Sequence, residues 1–212
     1  MTFAKTRSFE LKSFDKLCNN ATPQGEAYGQ AIHANTVDLM SAYQPDTTGE
    51  IGIVSIPRGG VPTAHAIKDW FGPAANGKIH LIESGIKTTT ELMPQDLFYI
   101  GLSAIIISDG IIGTGKTITD HLDQIPETWE GKTIVASNAA TELGVQNISE
   151  WAEKKKRHLD IVTARVFSGD ECEWVQFPDK QVYFVGYNKE RGIDYALPDF
   201  GDHIQPCPKG YK

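Results

Sequence analysis

Residues 104–122, AIIISDGIIGTGKTITDHL, decide the architecture. The opening run of alanine and isoleucine is short, apolar and β-branched, which predicts a buried strand over residues 103–108. The end of the stretch leads into residues 116–125, where Ile118, Leu122 and Ile125 recur at i, i+4 and i+7 and mark a helix. Between them stand Asp109, expected to end the strand, and Gly110, Gly113 and Gly115. Glycines let a backbone turn tightly and approach a ligand closely. Thr114 and Thr117 add hydroxyl donors. A strand that turns into a helix in this way offers free amides and a partial positive charge, which suits a phosphate.

The same alternation extends in both directions. Residues 51–56 read as a buried strand and 61–70 as a helix with Ala64, Ile67 and Phe71 on one face. Residues 79–82 read as a second strand. Residues 84–96 are polar, carry three consecutive threonines and Pro94, and read as a loop. Downstream, residues 133–137, 161–164 and 182–185 read as strands. Thr141 is placed to cap a helix reaching about Lys156. The N-terminal segment, 1–45, reads as helical, with Ala27, Ala31, Val37, Leu39 and Met40 at loose helical spacing, until Pro45 breaks it. Strands alternating with helices predict an α/β fold: a mainly parallel sheet flanked by helices, as one domain over residues 1–212 with a small hood. Ligands in such sheets lie at the carboxyl ends of the strands. That directs attention to the loops after Ile56, Ser108 and Val185.

The formal net charge of −7 argues against a broad polyanion-binding surface, so nucleic acid is not an expected partner. No apolar run approaches the length of a membrane span. The first residues carry no apolar core of signal-peptide length, so a cytoplasmic protein is expected. Cys18, Cys172 and Cys207 are far apart and odd in number, which predicts reduced thiols rather than a disulfide framework. The six histidines show no metal-ligand spacing, and no protein metal ligands are assigned. The basic run 154–157 reads as a solvated helix end that complements the helix dipole.

Two phosphate-loop patterns overlap in the deciding stretch. Residues 110–117 match G-x-x-x-x-G-K-[ST], the nucleoside-triphosphate loop. That machinery also needs an acid at the end of another strand to hold magnesium. The strands expected at 133–137 and 182–185 end without one, and Asp160 precedes its strand. The second pattern is a hydrophobic strand, an acid, two apolar residues, a small residue, then Thr-Gly-x-Thr. It resembles the ribose-phosphate loop of type I phosphoribosyltransferases. The resemblance implies that Asp109 binds the ribose hydroxyls of phosphoribosyl pyrophosphate. Gly113, Thr114, Gly115, Lys116 and Thr117 would then hold its 5-phosphate, with Gly110 beside them.

Two further segments carry the same resemblance. Arg58-Gly59-Gly60, after the first of these strands, is similar to that family's pyrophosphate loop, where a glycine pair and a cation meet the leaving group. Residues 193–204 look like the uracil loop of uracil phosphoribosyltransferases, matching at Asp199, Phe200, Gly201 and Asp202. This implies a C-terminal base-recognition region, 178–212, in which Ile193, Asp199 and Phe200 meet the base. Three positions depart from the family pattern. Pro198 stands where the uracil loop has glycine, Gly110 replaces a second acid or proline, and Lys116 replaces a common glycine. Lys116 also resembles the hypoxanthine-guanine enzymes, but those carry an aspartate where this chain has Gly113.

The resemblance implies transfer of ribose 5-phosphate to a nucleobase, uracil favoured, with release of pyrophosphate. It also implies Mg2+ as cofactor, closure of loop 84–96 with Lys87 over the site, and a homodimer or higher homo-oligomer. A regulatory relative that binds phosphoribosyl ligands without turnover, and a nucleoside triphosphatase, are the alternatives.

Overall fold

The computed structural model describes residues 2–9, 11–17, 26–57, 59–72, 78–84, 101–167, 175–177, 180–182, 187–188 and 192–193. Six strands form one sheet: β1 (Ala4–Ser8), β2 (Glu50–Ser55), β3 (Ile79–Glu83), β4 (Leu102–Ile112), β5 (Lys132–Thr141) and β6 (Leu159–Phe167). Their order across the sheet is β1-β6-β5-β4-β2-β3, and every neighbouring pair is parallel. The helices are α1 (Phe14–Leu17), α2 (Glu26–Tyr43), α3 (Gly60–Phe71), α4 (Lys116–Leu122) and α5 (Glu142–Lys155).

Side-chain alternation along each strand divides the interior into two cores. Ile51, Ile53, Ala104, Ile106, Ile134 and Val162 face α1, α2 and α3. Val54, Ile105, Ile107, Val135 and Ile161 face α4 and α5, through Ile118, Leu122, Ile148 and Ala152. Strands apolar on both faces are the mark of a parallel sheet covered by helices on both sides. The expected α/β architecture is the observed one. Among the described residues, no helix is long and apolar enough to cross a membrane.

The N-terminal segment departs from its helical reading. Residues 4–8 form an edge strand paired with β6, from Ala4 against Leu159 to Ser8 against Thr163. Nothing local marks this strand, because its backbone is satisfied by a partner distant in sequence. Two central strands are also longer than expected. Asp109 does not end β4, which stays paired with β5 as far as Ile112 against Ala140. Asp109, Gly110, Ser137 and Asn138 look like strand breakers, yet the ladder runs through them. Residues 180–182 form β8 (Lys180–Val182), paired antiparallel with β7 (Val175–Phe177) outside the main sheet; of the strand expected at 182–185, Val182 alone is described. β9 (Tyr187–Asn188) and β10 (Gly192–Ile193) form another two-stranded piece. Residues 183–186 and the three cysteines lie outside the described residues.

Candidate active site

The chain reverses its direction of travel at β2. From there β3 is added on one side, and β4, β5 and β6 on the other. The helix after β2 lies on one face of the sheet and the helix after β4 on the opposite face. Such a switch point leaves a crevice at the carboxyl ends of the two strands, which is where ligands of this architecture bind. Here the crevice is well marked. β2 and β4 pair as far as Ser55 against Ser108, and beyond that β4 continues with β5 alone.

The turn from β2 into α3 closes one wall, and Gly60 allows it to. A Cβ on Gly60 would sit 2.3 Å from the Ser108 carbonyl oxygen and 3.3 Å from Asp109 Cα. The close approach is locked by hydrogen bonds. The Ile56 amide donates to the Ser108 carbonyl (3.1 Å), and Ser108 Oγ lies 3.0 Å from the Val54 carbonyl and 3.3 Å from that of Gly60. Gly59 therefore abuts Asp109: a Cβ there would lie 3.5 Å from Asp109 Oδ1 and 3.4 Å from Gly110. The Gly110 amide donates to Asp109 Oδ1 at 2.7 Å, which orients the carboxylate. Ser137, opposite Asp109 in the ladder, and Ser55 and Ser84, at the ends of β2 and β3, have buried hydroxyls without a partner among the described residues.

A buried chain of amides and hydroxyls reaches this wall from behind. Ser13 Oγ donates to Asn35 Oδ1 (3.0 Å), and Asn35 Nδ2 to Asn138 Oδ1 (2.6 Å). Asn138 Nδ2 donates to Thr63 Oγ1 (3.0 Å), which lies 3.4 Å from the Gly59 carbonyl. Asn35, Thr63 and Asn138 are wholly buried.

The second wall is the short turn 113–115 between β4 and α4. Gly115 adopts φ 74°, the left-handed region in which glycine is at ease. The start of α5 packs against this turn. Thr141 Oγ1 donates to the Gly113 carbonyl (2.6 Å) and accepts from the Gly144 amide (2.9 Å), so it also caps α5 as its sequence position predicts. Asn147 Nδ2 donates to the Thr114 carbonyl (2.9 Å). Sequence reasoning gave Thr141 a capping role only, and gave none to Gly144 or Asn147.

This geometry does not suit the nucleoside-triphosphate pattern. Gly110–Ile112 lies in the ladder, so only residues 113–115 are free to form a turn, too few to wrap a triphosphate. Lys116 Nζ contacts both carboxylate oxygens of Asp120, at 2.7 and 2.9 Å, on an exposed face of α4. Asp160 sits near the amino end of β6, where it accepts from Tyr43 OH at 2.5 Å, at the far end of the sheet from the crevice.

Thus Gly59, Gly60, Asp109 and Gly110 come together, and Gly113, Thr114, Gly115, Lys116 and Thr117 follow on the adjoining turn and helix. Ile193 lies in β10, opposite Tyr187. Arg58, Lys87, Asp199 and Phe200 lie outside the described residues, as does most of the 84–96 loop. No group of three or more His, Cys, Asp or Glu side chains gathers at metal-binding distance among the described residues.

His121, in α4, gives a pH prediction. Its Nδ1 donates to the Thr117 carbonyl at 2.6 Å, and its Nε2 is buried with no partner among the described residues. Burial holds its pKa below the usual 6.5, opposed by the Thr117 carbonyl and by Asp120. The unfolded chain therefore binds a proton more readily than the folded one. Its stability contribution is complete above pH about 6.5 and is lost as the pH falls below it, until the folded-state pKa is passed. Urea midpoints measured from pH 7.5 to 5 are expected to fall, and to fall less in His121→Gln.

A fully parallel α/β sheet with a glycine pair and an acid at its switch point, and a Thr-Gly-x-Thr turn beside them, defines a type I phosphoribosyltransferase fold. The family model for uracil phosphoribosyltransferase matches residues 18–169, and the chain belongs to that family. No curated protein matches the sequence. Among solved structures, a protein from Aquifex aeolicus is 15% identical with a TM-score of 0.62, covering 96% of this chain and 99% of that one. Adenine phosphoribosyltransferase from Thermoanaerobacter pseudethanolicus is 13% identical with a TM-score of 0.42, over 65% of this chain and 81% of that one. Orotate phosphoribosyltransferase from Mycobacterium tuberculosis H37Rv, in complex with 5-phospho-alpha-D-ribosyl 1-diphosphate, is 13% identical with a TM-score of 0.40, over 66% and 74%. At these identities the likeness is one of fold.

Proposed function

We propose that the protein transfers ribose 5-phosphate from phosphoribosyl pyrophosphate to a nucleobase nitrogen, with uracil the favoured acceptor, and releases pyrophosphate. The observation that carries this is the contact of Gly59 and Gly60 with Asp109 at the switch point, in a chain of this family. A leaving pyrophosphate meeting the glycine turn would lie beside the carboxylate that holds the ribose.

In this reading the transition state is a cationic ribose, and the protein's work is positioning and charge stabilisation. The Asp109 carboxylate, oriented by the Gly110 amide, holds the ribose hydroxyls and faces the growing positive charge. Residues 113–117 hold the 5-phosphate. Arg58, beside the glycine pair, meets the departing pyrophosphate. Ile193, Asp199 and Phe200 serve the base, and Lys87 belongs to the loop that closes over it. Magnesium bound to the donor would neutralise pyrophosphate charge. The ion would be held chiefly by the oxygens of the donor, as magnesium commonly is with phosphate substrates. The protein is expected to act in the cytoplasm, as a homodimer or larger assembly.

The test is magnesium-dependent pyrophosphate release from phosphoribosyl pyrophosphate with uracil, orotate, adenine, hypoxanthine and guanine as acceptors. Release with uracil is expected, reduced roughly hundredfold or more in Asp109→Asn, as for loss of a group that stabilises transition-state charge. Release with a different base would move the acceptor assignment only. Tight donor binding without release from any base would make the protein a regulator. Binding of ATP with indifference to the phosphoribosyl donor would overturn the proposal.

A further inference from the structure

We infer that Thr141 and Asn147, at the start of α5, are positioning residues that aim the amides of the turn 113–115 at the ligand's phosphate. The inference rests on the proposed function for what that phosphate is. Its geometric basis is independent.

A trans peptide is planar, so the carbonyl of one residue and the amide of the next point in opposite directions. Thr141 draws the Gly113 carbonyl toward α5, so the Thr114 amide points away from α5. Asn147 draws the Thr114 carbonyl toward α5, so the Gly115 amide points away as well. Two successive amides are thereby turned to the same outward side, the arrangement that makes an anion-binding nest. No hydrogen bond among the described residues occupies either of them.

The sequence of α5 is arranged for this grip. Thr141, Gly144 and Asn147 are three residues apart and share one face of the first two turns. Gly144 at the centre lets the two segments close. A Cβ there would be 2.3 Å from the Gly113 carbonyl oxygen, and a Cβ on Gly115 would be 2.7 Å from the Gly144 carbonyl oxygen. Thr141 performs two separable jobs. Its oxygen accepts from the Gly144 amide to cap the helix, while its hydroxyl hydrogen goes to the turn. Asn147 has no capping role, so its bond to Thr114 is the cleaner probe.

Calorimetric titration with ribose 5-phosphate and, separately, with pyrophosphate tests this on the full chain. Asn147→Ala is expected to weaken ribose 5-phosphate binding roughly three- to tenfold, the worth of one net hydrogen bond. Its pyrophosphate affinity should not change, and its unfolding midpoint should hold or rise, because alanine favours helix. Thr141→Val should weaken ribose 5-phosphate further, and Thr141→Ser should restore it by returning both hydrogen bonds. In steady-state assays the donor KM should rise while the acceptor KM stays constant. If wild type binds ribose 5-phosphate and Asn147→Ala binds it equally well, the positioning role is refuted and the proposed function stands. Equal losses for both ligands also refute it, because a general loosening would then be the cause. If wild type binds neither ligand, the proposed function and this inference both fall.

Discussion

Asn138→Leu is expected to lower the unfolding free energy by about 3–5 kcal/mol, enough to threaten folding at 37 °C in a protein of ordinary marginal stability. Asn138 lies at the carboxyl end of β5 with no solvent exposure. Its amide accepts from Asn35 and donates to Thr63, and Thr36 Oγ1 lies 3.2 Å from its oxygen. Leucine fills a similar volume but satisfies none of these partners. The Asn35 amide would lose its acceptor and Thr63 its donor, each in a site without water access, at roughly 1–3 kcal/mol apiece. Thr36 is less affected, since its hydroxyl also reaches the Ile32 carbonyl at 2.9 Å. A denaturant titration reads the loss directly. Asn138→Asp makes the argument sharper. A protonated carboxyl can accept from Asn35 and donate to Thr63, whereas a buried carboxylate cannot donate and is costly. Burial would raise the folded pKa of this aspartate, so its stability would be full below pH about 4 and decline as the pH rises through the folded value. A pH profile for Asn138→Asp that was flat from pH 4 to 7 would show the network to be unimportant.

That network also marks where sequence reading stopped. The alternation of apolar runs and helical stripes identified the parallel sheet, because Ile105, Ile106 and Ile107 report burial on both faces whatever their partners. The crevice was legible too, since Asp109, the glycine pair 59–60 and the Thr-Gly-x-Thr turn are local patterns. The edge strand β1 was not, since its signal lies in pairing with Leu159–Thr163, far along the chain. Nor were Asn138 and Asn147. A polar residue late in a strand reads as the strand's end, and an asparagine on a helix reads as surface. Only the fold shows that one amide bridges side chains of two helices, α2 and α3, and the other holds the Thr114 carbonyl. The overlap of two phosphate-loop patterns was likewise settled by a non-local fact. The ladder from Asp109 to Ile112 against β5 consumes the residues that a triphosphate loop would need.

Gly60→Ala should combine a large loss of stability with an even larger loss of turnover. The added Cβ would meet the Ser108 carbonyl oxygen at 2.3 Å, far inside contact distance, and the obstacle is backbone in the central strand. Relief requires the start of α3 to back away from β4 by about 1 Å, stretching the Ile56–Ser108 and Ser108–Gly60 hydrogen bonds. Overpacking of this kind costs about 1–3 kcal/mol, and the strained hydrogen bonds add to it. The functional effect follows from the same movement. Gly59 would be carried away from Asp109, separating the turn proposed to meet pyrophosphate from the carboxylate proposed to hold the ribose. A displacement of about 1 Å can reduce turnover by roughly a hundredfold. Two other glycines calibrate the result. Gly59→Ala meets its neighbours at 3.4–3.5 Å, ordinary contact, so its stability should change little. Gly29, within α2, has nothing within 4 Å of an added Cβ, and Gly29→Ala should stabilise by up to about 1 kcal/mol through helix propensity. The three variants are compared by thermal unfolding and by pyrophosphate release. The expected order of stability is Gly29→Ala, then Gly59→Ala, then Gly60→Ala. If Gly60→Ala kept wild-type turnover, the contact between the β2–α3 turn and β4 would not be what organises the site.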